Sequence, residues 1–130
     1  MRIGELARET GVKVVTIRYY EGAGVLPPAK RTSGNYRSYG TEHLRRLRFV
    51  RRCRDLGFSL EQVRDLLRLS AEDVPSCAEV CQIAARHRKS IEDKIANLKL
   101  LASELQRISA SCNGRRRMAD CRIIEALCSC

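Results

Sequence analysis

Seven cysteines in a chain of 130 residues are the side chains best equipped for chemistry. Cys77, Cys112 and Cys121 carry the argument. Thiolates are soft ligands, and the loop from Cys112 to Cys121 holds no histidine, so the set favours a soft, thiophilic cation. A three-sulfur site suits Hg(II) or Pb(II). Zn(II) and Cd(II) prefer four ligands, and Cys81, one helical turn after Cys77, or the Cys128-Ser129-Cys130 tail offers a further sulfur. The tail also reads as a frayed terminus or as a scavenger that hands metal on. Cys53 falls on an apolar stripe and reads as a small core residue. His87 stands about 15 Å along a helix from Cys77, too far for a shared ion.

Those thiols must be positioned by the stretch from Ser76 to Cys121. Ser76-Cys77-Ala78-Glu79 reads as a capping box, no Gly or Pro interrupts Cys77 to Cys112, and Asn113-Gly114 supplies a stop. Inside runs a seam of Ile91, Ile95, Leu98, Ala102, Leu105, Ser109 and Cys112, stepping alternately by four and three, as a helix packing on another long helix requires. A straight helix sets Cys77 and Cys112 about 50 Å apart, so one rod cannot unite them. A second copy lying antiparallel can. The expected arrangement is two symmetry-related sites, each mixing thiols from both subunits. Asp120 is placed to cap a last helix over Cys121 to Leu127, which puts Cys77 and Cys121 in first helical turns, where the thiolate is favoured.

The rest of the chain is strongly basic. A formal charge of +10 points to a polyanionic partner, nucleic acid first and anionic membrane second. No apolar run approaches membrane-spanning length and the start does not read as a signal peptide, so a cytoplasmic protein with reduced thiols is expected. Phosphate loop, nucleophile–base pair and paired-carboxylate pocket are all missing from the sequence, which argues against an enzyme.

Residues 1 to 22 read as two short helices around Thr10-Gly11-Val12, a helix-turn-helix whose second helix carries Thr16, Arg18, Tyr19 and Tyr20. Arg18 suits a guanine edge or a phosphate, and the tyrosine hydroxyls suit the backbone, with one of the two rings expected in the core. Val25 to Pro28 is extended, Thr32 to Asn35 is a turn and Tyr36 to Tyr39 alternates like an edge strand. Together they form a wing bearing Lys30, Arg31 and Arg37. Thr41 is the expected cap of a helix with Leu44, Leu47, Val50, Cys53 and Leu56 on one face and six arginines elsewhere, dense enough for a second phosphate contact. Ser59-Leu60-Glu61-Gln62 opens the next helix as a capping box, with Val63, Leu66 and Leu67 inward.

Ile3-Gly4-Glu5-Leu6-Ala7, Thr16-Ile17-Arg18-Tyr19-Tyr20-Glu21, Asn35-Tyr36-Arg37-Ser38-Tyr39 and Arg54-Asp55-Leu56-Gly57-Phe58-Ser59-Leu60 resemble the amino-terminal signature of MerR-family transcriptional regulators. The resemblance implies a mainly α fold: a winged helix-turn-helix head over 1–70, a linker at 71–75, a dimerisation helix over 76–112 forming an antiparallel coiled coil, and a metal-binding loop and helix over 113–130. It implies a homodimer on double-stranded promoter DNA that distorts an overlong spacer when effector binds, so that RNA polymerase engages both elements. By the same resemblance Arg18, Tyr19, Tyr36 and Arg37 contact DNA, with Thr16 and Tyr20 behind them. Lys13 and Val15 depart from the pattern at the start of the recognition helix. Cys77, Cys112 and Cys121 resemble the triad of divalent sensors, for mercury, lead, cadmium or zinc, the last ranking behind the others. Copper-type relatives lack the Cys77 equivalent, and a third thiolate helps neutralise a +2 ion. Competing readings are a thiol-based redox-sensing regulator and a DNA-architectural protein with a structural metal.

Overall fold

Helix α1 (Ile3–Thr10) stops where the chain turns left-handed at Gly11, whose φ is 70° and whose N–H closes on the carbonyl of Ala7 at 2.8 Å. The buried Thr10 hydroxyl donates to Leu6 O at 2.8 Å and accepts from the N–H of Val12 at 3.3 Å. The Arg51 guanidinium donates to Thr10 O and fills the space beside Gly11. This turn fixes the start of α2 (Val14–Gly22), the second helix of the expected helix-turn-helix.

A computed structural model describes residues 1–72 and 76–128. Strands β1 (Lys30–Arg31) and β2 (Arg37–Ser38) follow α2 and pair antiparallel, with Lys30 opposite Ser38 and Arg31 opposite Arg37. Then come α3 (Thr41–Asp55), α4 (Leu60–Ala71), α5 (Ala78–Ala110), a 3₁₀ turn (Met118–Asp120) and α6 (Arg122–Cys128). The chain divides into two units, Met1–Ile83 and Ala84–Cys130. Most of the expected 71–75 linker and Cys130 of the tail lie outside the described residues.

The first unit is built on Leu6, Ile17, Val25, Leu26, Tyr39, Leu47, Val50 and Val63, all essentially inaccessible. Each fully buried aliphatic side chain contributes about 1.5–3 kcal/mol. Val25 and Leu26, expected in an extended strand, serve as core plugs, and the ladder begins later at Lys30. Of the apolar face expected on α3, Leu47, Val50 and Cys53 are buried, whereas Leu56 is half exposed because it lies beyond Asp55, at the helix cap. Burial alone pushes the Cys53 thiol up.

Three helix starts differ from the sequence reading and one agrees with it. Ser59 and Gln62 form the expected box: Ser59 Oγ accepts from Gln62 N at 3.1 Å and Gln62 Oε1 from Ser59 N at 2.8 Å. At α3 the cap position falls on Gly40, not Thr41, and His43 closes the turn by accepting Gly40 N–H on Nδ1 at 3.1 Å. Its Nε2 lies 3.1 Å from Pro27 O, so that nitrogen carries the proton. At α5 the carbonyl of Cys77 accepts the first helical bond, from Cys81 N at 2.9 Å, which makes Cys77 the cap; Ser76 Oγ accepts from Ala78 N at 3.4 Å. Cys121 stands in the same position before α6.

Helix α5 has 33 residues and ends at Ala110, two residues short of the expected Cys112, where Ser111 and Cys112 tighten into bonds to Ile108 O and Ser109 O. Gly114, at φ 75°, and the Asn113 side chain, accepting Arg115 N at 3.0 Å, then redirect the chain. Along α5 the seam residues Ile91, Ile95, Leu98 and Leu105 are all exposed, Leu98 at 62%. Among the described residues no helix is long and apolar enough to cross a membrane.

Gly11→Ala is expected to cost about 1–2 kcal/mol, since it forces a side chain into the left-handed region against Arg51. A lowered urea midpoint with unchanged slope would register it.

Candidate nucleic-acid interface and metal centre

The outward face of α2 presents Lys13, Val15, Arg18 and Tyr19, with Tyr19 60% exposed and Thr16 half-buried. Tyr20 is the tyrosine in the core: at 8% exposure its ring packs with Leu6, Ile17 and Val25, so it is removed from the candidate contact face. Arg18 and Tyr19 follow each other on the exposed side because Ile17 and Tyr20 take the buried one.

The wing concentrates charge. Arg31 and Arg37 are direct cross-strand partners and both are exposed, an arrangement that is unfavourable without a counter-anion. Arg31 also donates to Asn35 O at 3.2 Å, which pins its guanidinium over a turn closed by Asn35 N to Thr32 O at 2.9 Å. Tyr36, 59% exposed, receives the Arg2 guanidinium 4.6 Å from its ring centroid. Arg2 escapes sequence reasoning, since a single basic residue before a helix carries no pattern.

Tyr39 ties this wing to the recognition helix. It is buried, its hydroxyl donates to Glu21 Oε1 of α2, and its ring meets His43 of α3 edge-on at 5.2 Å. Its backbone N–H donates to Met1 O at 2.7 Å. Burial first, and then Glu21, push the Tyr39 phenol up, so it stays a donor.

The arginines of α3 divide into two groups. Arg46 donates to Val25 O at 3.4 Å, Arg51 to Thr10 O and Arg54 to Phe58 O at 2.9 Å, so these three serve carbonyls at joints of the fold. Arg45, Arg48 and Arg52 remain exposed on the outer face. On α4, Arg64 holds Ala23 O through two nitrogens, at 2.6 and 3.0 Å, anchoring the end of α2.

In the second unit, Cys112 and Cys121 come together at the two ends of the arginine loop. The Cys121 thiol accepts from the N–H groups of Ile124 and Ile123, and less strongly from the Cys112 thiol; these bonds hold it below the ordinary cysteine range. Cys121 therefore caps α6 with its own sulfur, in place of the expected Asp120. Asp120 instead faces Arg117 at 3.7 Å. A sulfur whose thiolate is favoured by backbone N–H groups, with a second thiol beside it, is the donor chemistry a soft cation takes.

In the first unit, Cys77 and Cys81 are exposed with their sulfurs 3.8 Å apart. Hydrogen bonding to Cys77, and then its charge, push the Cys81 thiol up. Among the described residues of a single chain, no group of three His, Cys, Asp or Glu side chains gathers to hold a metal ion.

Residues 1–70 match the family model for MerR HTH family regulatory proteins, and residues 44–108 match that for MerR, DNA binding. The chain is 42% identical over 127 residues to heavy metal-dependent transcription regulator 2 of Rhizobium meliloti, covering 98% of this chain and 86% of that protein. It is 36% identical to the mercuric resistance operon regulatory protein of Bacillus cereus, covering 97% and 96%. The crystal structure of the transcription regulator PbrR691 from Ralstonia metallidurans in complex with lead(II) superposes with a TM-score of 0.88 at 38% identity, covering 98% of each chain. A winged helix-turn-helix head, a DNA-binding family match and full-length similarity to regulators rather than enzymes converge on one assignment: the chain belongs to the MerR family of helix-turn-helix transcriptional regulators.

Proposed function

We propose that this protein is a homodimeric, cytoplasmic activator that responds to a thiophilic divalent cation, Hg(II), Pb(II) or Cd(II), with Zn(II) ranking behind them. The observation that carries the reading is the meeting of Cys112 with Cys121, whose sulfur also accepts from two backbone N–H groups. The names of the relatives, a heavy metal-dependent regulator, a mercuric resistance regulator and a lead(II) complex, support the same ligand class.

Two sulfurs leave a divalent ion short of ligands, and Cys77 from the other protomer is the natural third. Antiparallel pairing of two α5 helices through the exposed seam of Ile91, Ile95, Leu98 and Leu105 supplies that geometry and buries the stripe. When bound, the cation links the two protomers through sulfur. On this reading 1–70 binds DNA, 71–75 links, 76–112 dimerises and 113–130 carries the metal loop.

At the promoter, Arg18 and Tyr19 enter the major groove, helped at the edge by Thr16, while Arg31, Tyr36 and Arg37 of the wing hold phosphates. Each cation neutralising a phosphate steepens the salt dependence of binding. Two heads fixed by one coiled coil bend and untwist the DNA between their half-sites when the metal site closes. RNA polymerase then engages both promoter elements.

Cys112→Ser or Cys121→Ser is expected to abolish the transcriptional response to metal with operator affinity close to wild type, as read by reporter assay and fluorescence anisotropy. Arg18→Ala is expected to weaken operator binding about 5- to 150-fold, the loss of one good base contact of about 1–3 kcal/mol, without changing metal uptake.

The Cys121 environment also sets a pH signature in the metal-free protein. Its thiolate is favoured in the folded state, so the associated stability is present above the ordinary cysteine pKa and fades as pH falls through the depressed one. Iodoacetamide labelling followed by mass spectrometry should find the reactivity of Cys121 falling off at a lower pH than that of an ordinary thiol, and that of Cys53 at a higher one.

A further inference from the structure

Cys81 finds no place in a three-sulfur site, yet it lies one turn beyond the cap residue Cys77, its sulfur 3.8 Å from that of Cys77. Both thiols are exposed. Two sulfurs each about 2.3 Å from one ion subtend an edge of about 3.8 Å if the coordination is tetrahedral, about 4.0 Å if trigonal and about 4.6 Å if linear. The pair thus stands close enough for one ion to be shared by both sulfurs. Cys77 caps α5 and Cys81 lies in its first turn, joined by the bond from Cys81 N to Cys77 O at 2.9 Å, which holds the two backbones one turn apart.

We propose that Cys81 is a fourth thiolate ligand, so that each effector site is built from Cys77 and Cys81 of one protomer and Cys112 and Cys121 of the other. The inference rests on the antiparallel dimer of the preceding section and deepens it. Four sulfurs suit a divalent ion of tetrahedral preference, which favours Cd(II) among the cations already proposed. Charge is consistent with this. Four thiolates around a +2 ion leave a net charge of −2, and the loop bearing Cys112 and Cys121 carries the exposed Arg115, Arg116 and Arg117 to offset it.

The test is thiol protection in the full-length dimer, with and without Cd(II), read by N-ethylmaleimide labelling and peptide mass spectrometry. Joint protection of Cys77, Cys81, Cys112 and Cys121, with Cys128 still labelled, is the expected result. Cys81 labelled at its metal-free rate while the other three are protected overturns the fourth ligand and leaves the effector reading standing. Absence of protection at both Cys112 and Cys121 overturns the effector reading itself. In parallel, Cys81→Ser should weaken Cd(II) binding about 10-fold or more, measured by competition with a chromophoric chelator, with circular dichroism and operator affinity unchanged. Cd(II) affinity equal to wild type in that variant would overturn the proposal.

Discussion

The hydrogen bond from the buried Tyr39 hydroxyl to Glu21 joins α2 and the wing, the two surfaces proposed to face DNA. Glu21 lies in the last turn of the recognition helix, and Tyr39 directly follows the second strand of the wing. A wing of two-residue strands has almost no stability of its own. Its orientation is therefore borrowed from Tyr39, held at once by Glu21, by the ring of His43 and by the backbone of Met1. The bond is partly buried, which strengthens it relative to one in open water. The Arg2 guanidinium over Tyr36 acts in the same direction from the other side of the wing.

Arginine plays two distinct roles in this head. Where a carbonyl would end unsatisfied at a joint, as at Thr10, Ala23 and Phe58, a guanidinium reaches across to it. Where two arginines oppose each other on the wing, Arg31 has only the neutral Asn35 carbonyl as an acceptor, and an external anion would offset the repulsion between the two cations. Net charge alone does not separate the two roles; the partner of each guanidinium does.

The helical architecture was legible because periodicity and caps agree along the chain: the Ser59-Gln62 box, the apolar face of α3 and the unbroken run of α5 all register locally. Capping was harder to read. Ser76, Thr41 and Asp120 have the preferred residue types, yet Cys77, Gly40 and Cys121 occupy the cap positions, because a sulfur or a ring two or three residues away can satisfy the same N–H groups. Which of Tyr19 and Tyr20 is buried depended on the angle of α2 against Leu6 and Val25, which adjacent residues cannot encode. The Cys112–Cys121 approach was legible from loop length. The Cys77–Cys81 spacing was present as an i, i+4 pair, but its significance is metric, and a distance in ångströms is not written in residue order.

The apolar stripe on α5 has a consequence for the cell. A polypeptide released singly from the ribosome carries Ile91, Ile95, Leu98 and Leu105 bare to water, so its folded lifetime depends on how soon it meets a sibling. Pairing through that stripe would be second order in the protein, so the assembled share would rise with the total amount. Copy number, set upstream of any signal, would then set how much paired protein is there to be switched.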